Sequence, residues 1–175
     1  MLGIIRSTAC ICGFLAVASV ACAQESTNRV DAHTDWSVFV EDQPTRECWI
    51  TSKPTKEVNT RDGRVVTVRR SAIQIFVTYR PASGINGQVS FTGGYPFDPA
   101  RPVRLTVGSQ VFNLFADGEY AWTATDAEDA LIRAAFKRGV SAVVEAQSRR
   151  GTNTRDTFSL NGFTAALAEA EKRCG

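Results

Sequence analysis

The residues able to do chemistry are five cysteines, one histidine and several arginines and acidic side chains spread along 175 positions. Cys48 and Cys174 stand far apart, and no C-x-x-C pair offers the lowered thiol pKa of a redox centre, so a structural bridge is the better reading. His33 has no second imidazole to share a zinc ion with, and no serine sits in a nucleophile-elbow context, so it reads as a solvated bystander. Asp126, Glu128 and Asp129, with Asp117 and Glu119 upstream, lack the spacing of an EF-hand loop. The first three suit a helix start, and the other two flank a turn. No catalytic, cofactor or metal constellation emerges, and a non-enzyme is expected. Two stretches suit binding instead. SRRGTNTRDT gathers Arg149, Arg150 and Arg155 at a hairpin tip able to hold an anionic group of a partner or a lipid headgroup, or simply to keep the hairpin soluble. Arg69 and Arg70 add a smaller basic spot. GGYPFDPARP sets Tyr95 and Phe97 among stiffening glycines and prolines, as a contact site for a protein partner or as a cover for one end of the fold.

The chain that must position these groups begins with a targeting pattern. MLGIIRSTACICGFLAVASVACAQ carries Arg6, an apolar run from Ala9 to Val20, and small residues at Ala21-Cys22-Ala23. This predicts a secretory signal over residues 1–23, cleaved near Ala23. The run is too short for a spanning helix, so no integral membrane span is expected after cleavage. Ser19, three positions before Cys22, replaces the apolar residue usual in acylated leaders, which favours a soluble product over a lipid anchor at Cys22. Cleavage would remove Cys10, Cys12 and Cys22. The remaining Cys48 and Cys174, in an oxidising compartment, most simply form one disulfide; two buried free thiols are the alternative. The polar, aperiodic residues 24–34 read as a flexible lead-in, and residues 35–175 as a single domain.

Within that domain strands dominate. WSVFV, ECWIT, RVVTVRR from Arg64 and AIQIFVTY alternate as strands do, the last with Ile73, Ile75, Val77 and Tyr79 on one face. GQVSFT, VRLTV, QVFNLF and EYAWT follow, with turn-forming Gly108-Ser109 and Asp117-Gly118 between the last three. VSAVVEAQS and RDTFSL form a further hairpin. The sum is about nine strands without a βαβ rhythm, predicting a mainly β antiparallel sandwich or rolled barrel. Residues 51–60 read as a polar connection. Two short helices are predicted. The first runs from a Thr125 or Asp126 cap to Lys137-Arg138 and buries Leu131, Ile132, Ala135 and Phe136. The second lines Phe163, Ala166, Leu167, Ala170 and Cys174 on one stripe, so that Cys174 would pin the tail to the strand carrying Cys48. Twenty basic against 18 acidic residues give a net charge of +2, which provides no electrostatic case for nucleic acid.

DWSVF with Cys48 close behind, GYPFDP, YAW before an acidic helix ending in KRG, and RGTNTRDTFSLNGFTAAL with Cys174 occur in that order. In this order they resemble the invasion-associated locus B family of bacterial exported proteins. The resemblance implies a periplasmic or secreted, disulfide-bearing, β-rich protein of a Gram-negative bacterium. It implies no agreed enzymatic activity and no cofactor, and some relatives are linked to host-cell entry. The expectation is a non-enzymatic binding module for a protein or envelope component, with Tyr95, Phe97, Arg149 and Arg150 as contacts. An envelope hydrolase and a lipid-anchored surface protein are the alternatives.

Overall fold

The computed structural model describes residues 28–175. The expected leader, its cleavage site and Cys22 lie outside the described residues. Twelve strands and two helices follow one another. The strands are β1 (Arg29–His33), β2 (Trp36–Glu41), β3 (Glu47–Ser52), β4 (Lys56–Arg61), β5 (Arg64–Val65), β6 (Gln74–Arg80), β7 (Ile85–Thr92), β8 (Val103–Val107), β9 (Gln110–Asp117), β10 (Tyr120–Trp122), β11 (Ser141–Gln147) and β12 (Asn153–Ser159). Helix α1 (Asp126–Arg138) lies between β10 and β11, and α2 (Phe163–Cys174) ends the chain. All strand pairs are antiparallel, in the order β1-β2-β3-β6-β7-β10-β9-β8-β11-β12-β4-β5.

One strand makes this long sheet fold back on itself. Residues 115–117 of β9 pair with β10, while residues 110–114 of the same strand pair with β8. The β8-β9 and β9-β10 turns hold Gly108 and Gly118 at φ +57° and +60°, the left-handed conformation that tight hairpins demand.

The fold class is as expected, but twelve strands replace about nine. Residues 29–33, placed in the flexible lead-in, form β1 and pair with β2. Residues 56–61, read as a connection, form β4 beside β12, whereas only Arg64–Val65 of RVVTVRR is strand. The cause is common to both. Strands near a sheet's ends are solvated and carry polar residues, so they lack the apolar alternation by which inner strands are recognised.

The core fills the inner side of the folded sheet, and the helices cover it. Ile73, Ile75, Val77 and Tyr79 are all buried there. The α2 stripe is buried as the heptad-like spacing requires: Phe163, Ala166, Leu167, Ala170 and Cys174. Phe163 meets Trp36 edge-on at 4.9 Å and Phe136 at 5.1 Å. Cys174 is bonded to Cys48, with Cα atoms 5.9 Å apart. Closing a loop of 126 residues contributes about 4–5 kcal/mol in the chain-entropy account, which matters for an alanine-rich helix with little apolar surface to bury.

Helix α1 departs from expectation at one position. Leu131 is 58% exposed, and Asp129 turns inward instead. Its Oδ1 accepts hydrogen bonds from the Val89 amide at 2.7 Å and the Thr123 hydroxyl at 2.8 Å. Burial pushes this carboxyl above the usual carboxylate range, with those two hydrogen bonds and Arg133 opposing the shift. Thr125 is the cap: it accepts from the Glu128 amide, while the Glu128 carboxylate accepts from the Ala124 amide.

Candidate functional site

The two halves of the folded sheet face each other where β7 ends and β12 runs inward. Strand alternation turns Thr154, Asp156 and Phe158 of β12 to the interior. A carboxylate at 0% exposure needs a charged, hydrogen-bonding partner. Arg70, itself 4% exposed, supplies it from the segment before β6. Its Nη1 and Nη2 donate to Asp156 Oδ1 and Oδ2 at 2.7 and 2.6 Å, a planar fork on a planar carboxylate. The remaining donors reach the Gly93 carbonyl at 2.8 Å and Asn59 Oδ1 at 3.3 Å. Arg70 therefore bolts β4, β12 and the end of β7 together.

The GYPF loop sits on this bolt. The Arg70 guanidinium lies 5.1 Å from the centre of the Tyr95 ring, within cation–π range. The Tyr95 hydroxyl is 2.5 Å from Thr154 Oγ1, and burial pushes its phenol up to about 12. Gly94 has φ +72°, and a Cβ there would meet the Ser71 carbonyl oxygen at 2.6 Å, so the close approach of the two segments requires glycine. Phe97, expected as a contact residue, is only 2% exposed. It packs edge-on against Tyr95 at 5.1 Å and tilted against Phe91 at 5.8 Å. Phe97 thus belongs to the core: the loop covers the open end of the fold, and of its two aromatic rings only part of Tyr95 reaches the surface. An apolar ring without polar atoms gains more from this burial than Tyr95, whose hydroxyl needs a partner.

Above Tyr95 lies a cleft of about 580 Å³. Arg61, Arg69, Arg149 and Arg150 line it, with Glu119 as the one carboxylate on its wall. These arginines come from the end of β4, the segment before β6 and the β11–β12 turn. Arg61 donates to Thr152 Oγ1 at 2.6 Å. The turn itself is fixed, since the Ser148 and Thr152 backbones bond each other, the Thr152 amide reaches Ser148 Oγ, and the Arg149 amide reaches the Pro96 carbonyl. Among the described residues, Arg69, Arg149 and Arg150 have no ion-pair partner. Arg155 faces elsewhere and pairs with Glu145. Apart from Arg70, which is neutralised by Asp156, four guanidiniums against one carboxylate give the cleft a net positive lining of forked N–H donors, the geometry that suits an anionic group.

Arg149 and Arg150 thus stand where the hairpin-tip reading put them, while their convergence with Arg61 and Arg69 came from the fold. Arg70 is no surface spot but a buried partner of Asp156. The signal for it lay in RDTFSL, where an aspartate occupies an inward position of an alternating strand. His33 lies outside the cleft, 3.3 Å from Asp31. Among the described residues no helix is long and apolar enough to cross a membrane.

A folded antiparallel sheet, a C-terminal helix tied down by a disulfide and an arginine-lined cleft define a disulfide-bearing, β-rich protein. The family model of the Invasion associated locus B (IalB) protein matches residues 36–171, and the chain belongs to this family. Its fold is similar to the crystal structure of invasion associated protein b from Bartonella henselae. That likeness has a TM-score of 0.53 and 20% identity, covering 80% of this chain and 94% of that one. No curated protein matches the sequence.

Proposed function

We propose that this protein works in the periplasm or outside the cell as a binding module, docking a protein or envelope component through an anionic group seated in the arginine cleft. The observation that carries this reading is the convergence of Arg61, Arg69, Arg149 and Arg150 on one cleft with a single carboxylate. Such a charge imbalance is costly to maintain without a counter-charge and favours capture of an anion. The rigid turn and the Arg70–Asp156 bolt support the same reading, because they hold the donors in place before the ligand arrives. Tyr95 contributes its exposed edge to the floor. The contact role moves away from Phe97.

The test is photo-crosslinking in intact cells from a probe placed at the cleft rim, comparing wild type with Arg149→Glu/Arg150→Glu. The charge reversal should abolish the crosslinked product while leaving the melting temperature within a few degrees. Capture that is equally strong after reversal, or insensitive to salt, would refute a role for the cleft.

A further inference from the structure

The outer face of the sheet, turned away from the helices, carries a second cleft of different character. Cross-strand register builds it. Phe39 faces Trp49, Trp49 faces Thr78, and Thr78 faces Gln88 across β2, β3, β6 and β7. One row along, Phe76 faces Ser90, Ser90 faces Trp122, and Trp122 faces Phe115. Two aromatic banks result. On one side Trp49 lies parallel to Phe39, with 5.3 Å between ring centres and 3° between planes. On the other, Trp122 stacks on Tyr120 at 5.7 Å and meets Phe115 at 5.9 Å. Tyr120 and Phe115 are 46% and 53% exposed, an uncommon concentration of wet aromatic surface. The backbones of β3 and β10 are three strand spacings apart, about 14 Å. The enclosed space is about 440 Å³.

The chemistry of the walls selects the occupant. No aliphatic side chain lines this cleft among the described residues. An acyl chain would be met by leucine, isoleucine or valine. Here flat rings alternate with groups that donate and accept hydrogen bonds: Thr78 and Ser90 hydroxyls, the Gln88 amide, and the Glu47 carboxylate held by Arg80 at 2.8 Å. Glu41 adds a further carboxylate, so the local balance of Glu41, Glu47 and Arg80 is one negative charge, opposite in sign to the arginine cleft. A polyanion is disfavoured here. A pyranose fits both properties. Its C–H faces lie against aromatic planes, and its hydroxyls both donate and accept, matching the mixed polar floor.

We propose that this outer-face cleft binds an uncharged glycan, with Trp49 and Trp122 as stacking platforms and Gln88, Ser90 and Glu47 reading the hydroxyls. The site is separate from the arginine cleft and does not rest on that reading.

The test uses chitotetraose, cellotetraose and maltotetraose as probes, followed by tryptophan fluorescence and titration calorimetry. Trp36 is buried in the core, so a ligand-dependent emission change reports Trp49 and Trp122. At least one tetrasaccharide should bind saturably, and Trp49→Ala or Trp122→Ala should weaken it about tenfold or more. Trp122→Phe should retain most of the affinity, and Gln88→Ala should weaken it several-fold. These two milder variants carry the test if either alanine variant fails to fold by circular dichroism. Absence of saturable binding by all three probes up to about 10 mM would overturn the proposal. So would saturable binding of a proline-rich peptide instead of the glycans, or a dimer in sedimentation that Trp122→Ala dissolves.

Discussion

Consider the replacement Arg70→Met, which keeps most of the side chain's unbranched stem and removes its charge. Four hydrogen bonds disappear: two to Asp156, one to the Gly93 carbonyl and one to Asn59. The heavier consequence falls on Asp156, left fully buried with an uncompensated charge. Removing one member of a buried pair costs about 3–5 kcal/mol, a large share of the roughly 5–15 kcal/mol that keeps a domain folded. At about 2–4 °C per kcal/mol for a chain of this size, the melting temperature should fall by about 6–20 °C. Urea denaturation with the disulfide kept oxidised measures the loss directly. A double-mutant cycle with Asp156→Leu then isolates the pair, and a coupling of about 2 kcal/mol or more is expected, because methionine and leucine together bury no charge. A loss below about 1 kcal/mol for Arg70→Met, the value of an exposed pair, would refute the bolt. Strict additivity of the two substitutions would refute it equally.

Reducing the Cys48–Cys174 bond should cost about 4–5 kcal/mol and lower the melting temperature by about 8–20 °C; superimposable melting curves with and without reductant would contradict the staple. For Asp129, burial raises the folded carboxyl, so its contribution to stability is full below the ordinary aspartate range and is lost as pH rises through the folded value. Asp129→Asn keeps an oxygen for the Val89 amide and the Thr123 hydroxyl, so its stability relative to wild type should grow between acid and neutral pH. A difference that shrinks over that interval in paired urea titrations would show the sign to be wrong.

The parts legible in the sequence were those where one period rules. AIQIFVTY alternates because one face of β6 is core, and the α2 stripe repeats because one side of that helix is buried, with Cys174 on it. β1 and β4 gave no such pattern, being polar strands near the sheet's ends. Leu131 and Asp129 exchanged roles because apolar count alone cannot anticipate a carboxylate satisfied by a neighbouring strand's amide. Phe97 was misplaced for a related reason: its loop lies over the open end of the fold, a fact of tertiary structure. Of the arginine cleft, only the turn with Arg149 and Arg150 was local enough to read. The outer-face aromatics were visible as residues, yet their assembly into two banks depends on which strands become neighbours.

The strand β1 brings a consequence for how the molecule can be held. The Asn28 carbonyl accepts from the Val40 amide, Val40 lies opposite Cys48, and Cys48 is joined to Cys174. Asn28 and the end of α2 therefore lie at one pole, beside Tyr79. The eight residues of β7 lead from that pole toward Gly93 and Gly94, a run of about 25 Å. A tether, affinity tag or sensor surface attached at the end of α2 would grip that pole and leave the arginine cleft on the far side, free to meet whatever approaches.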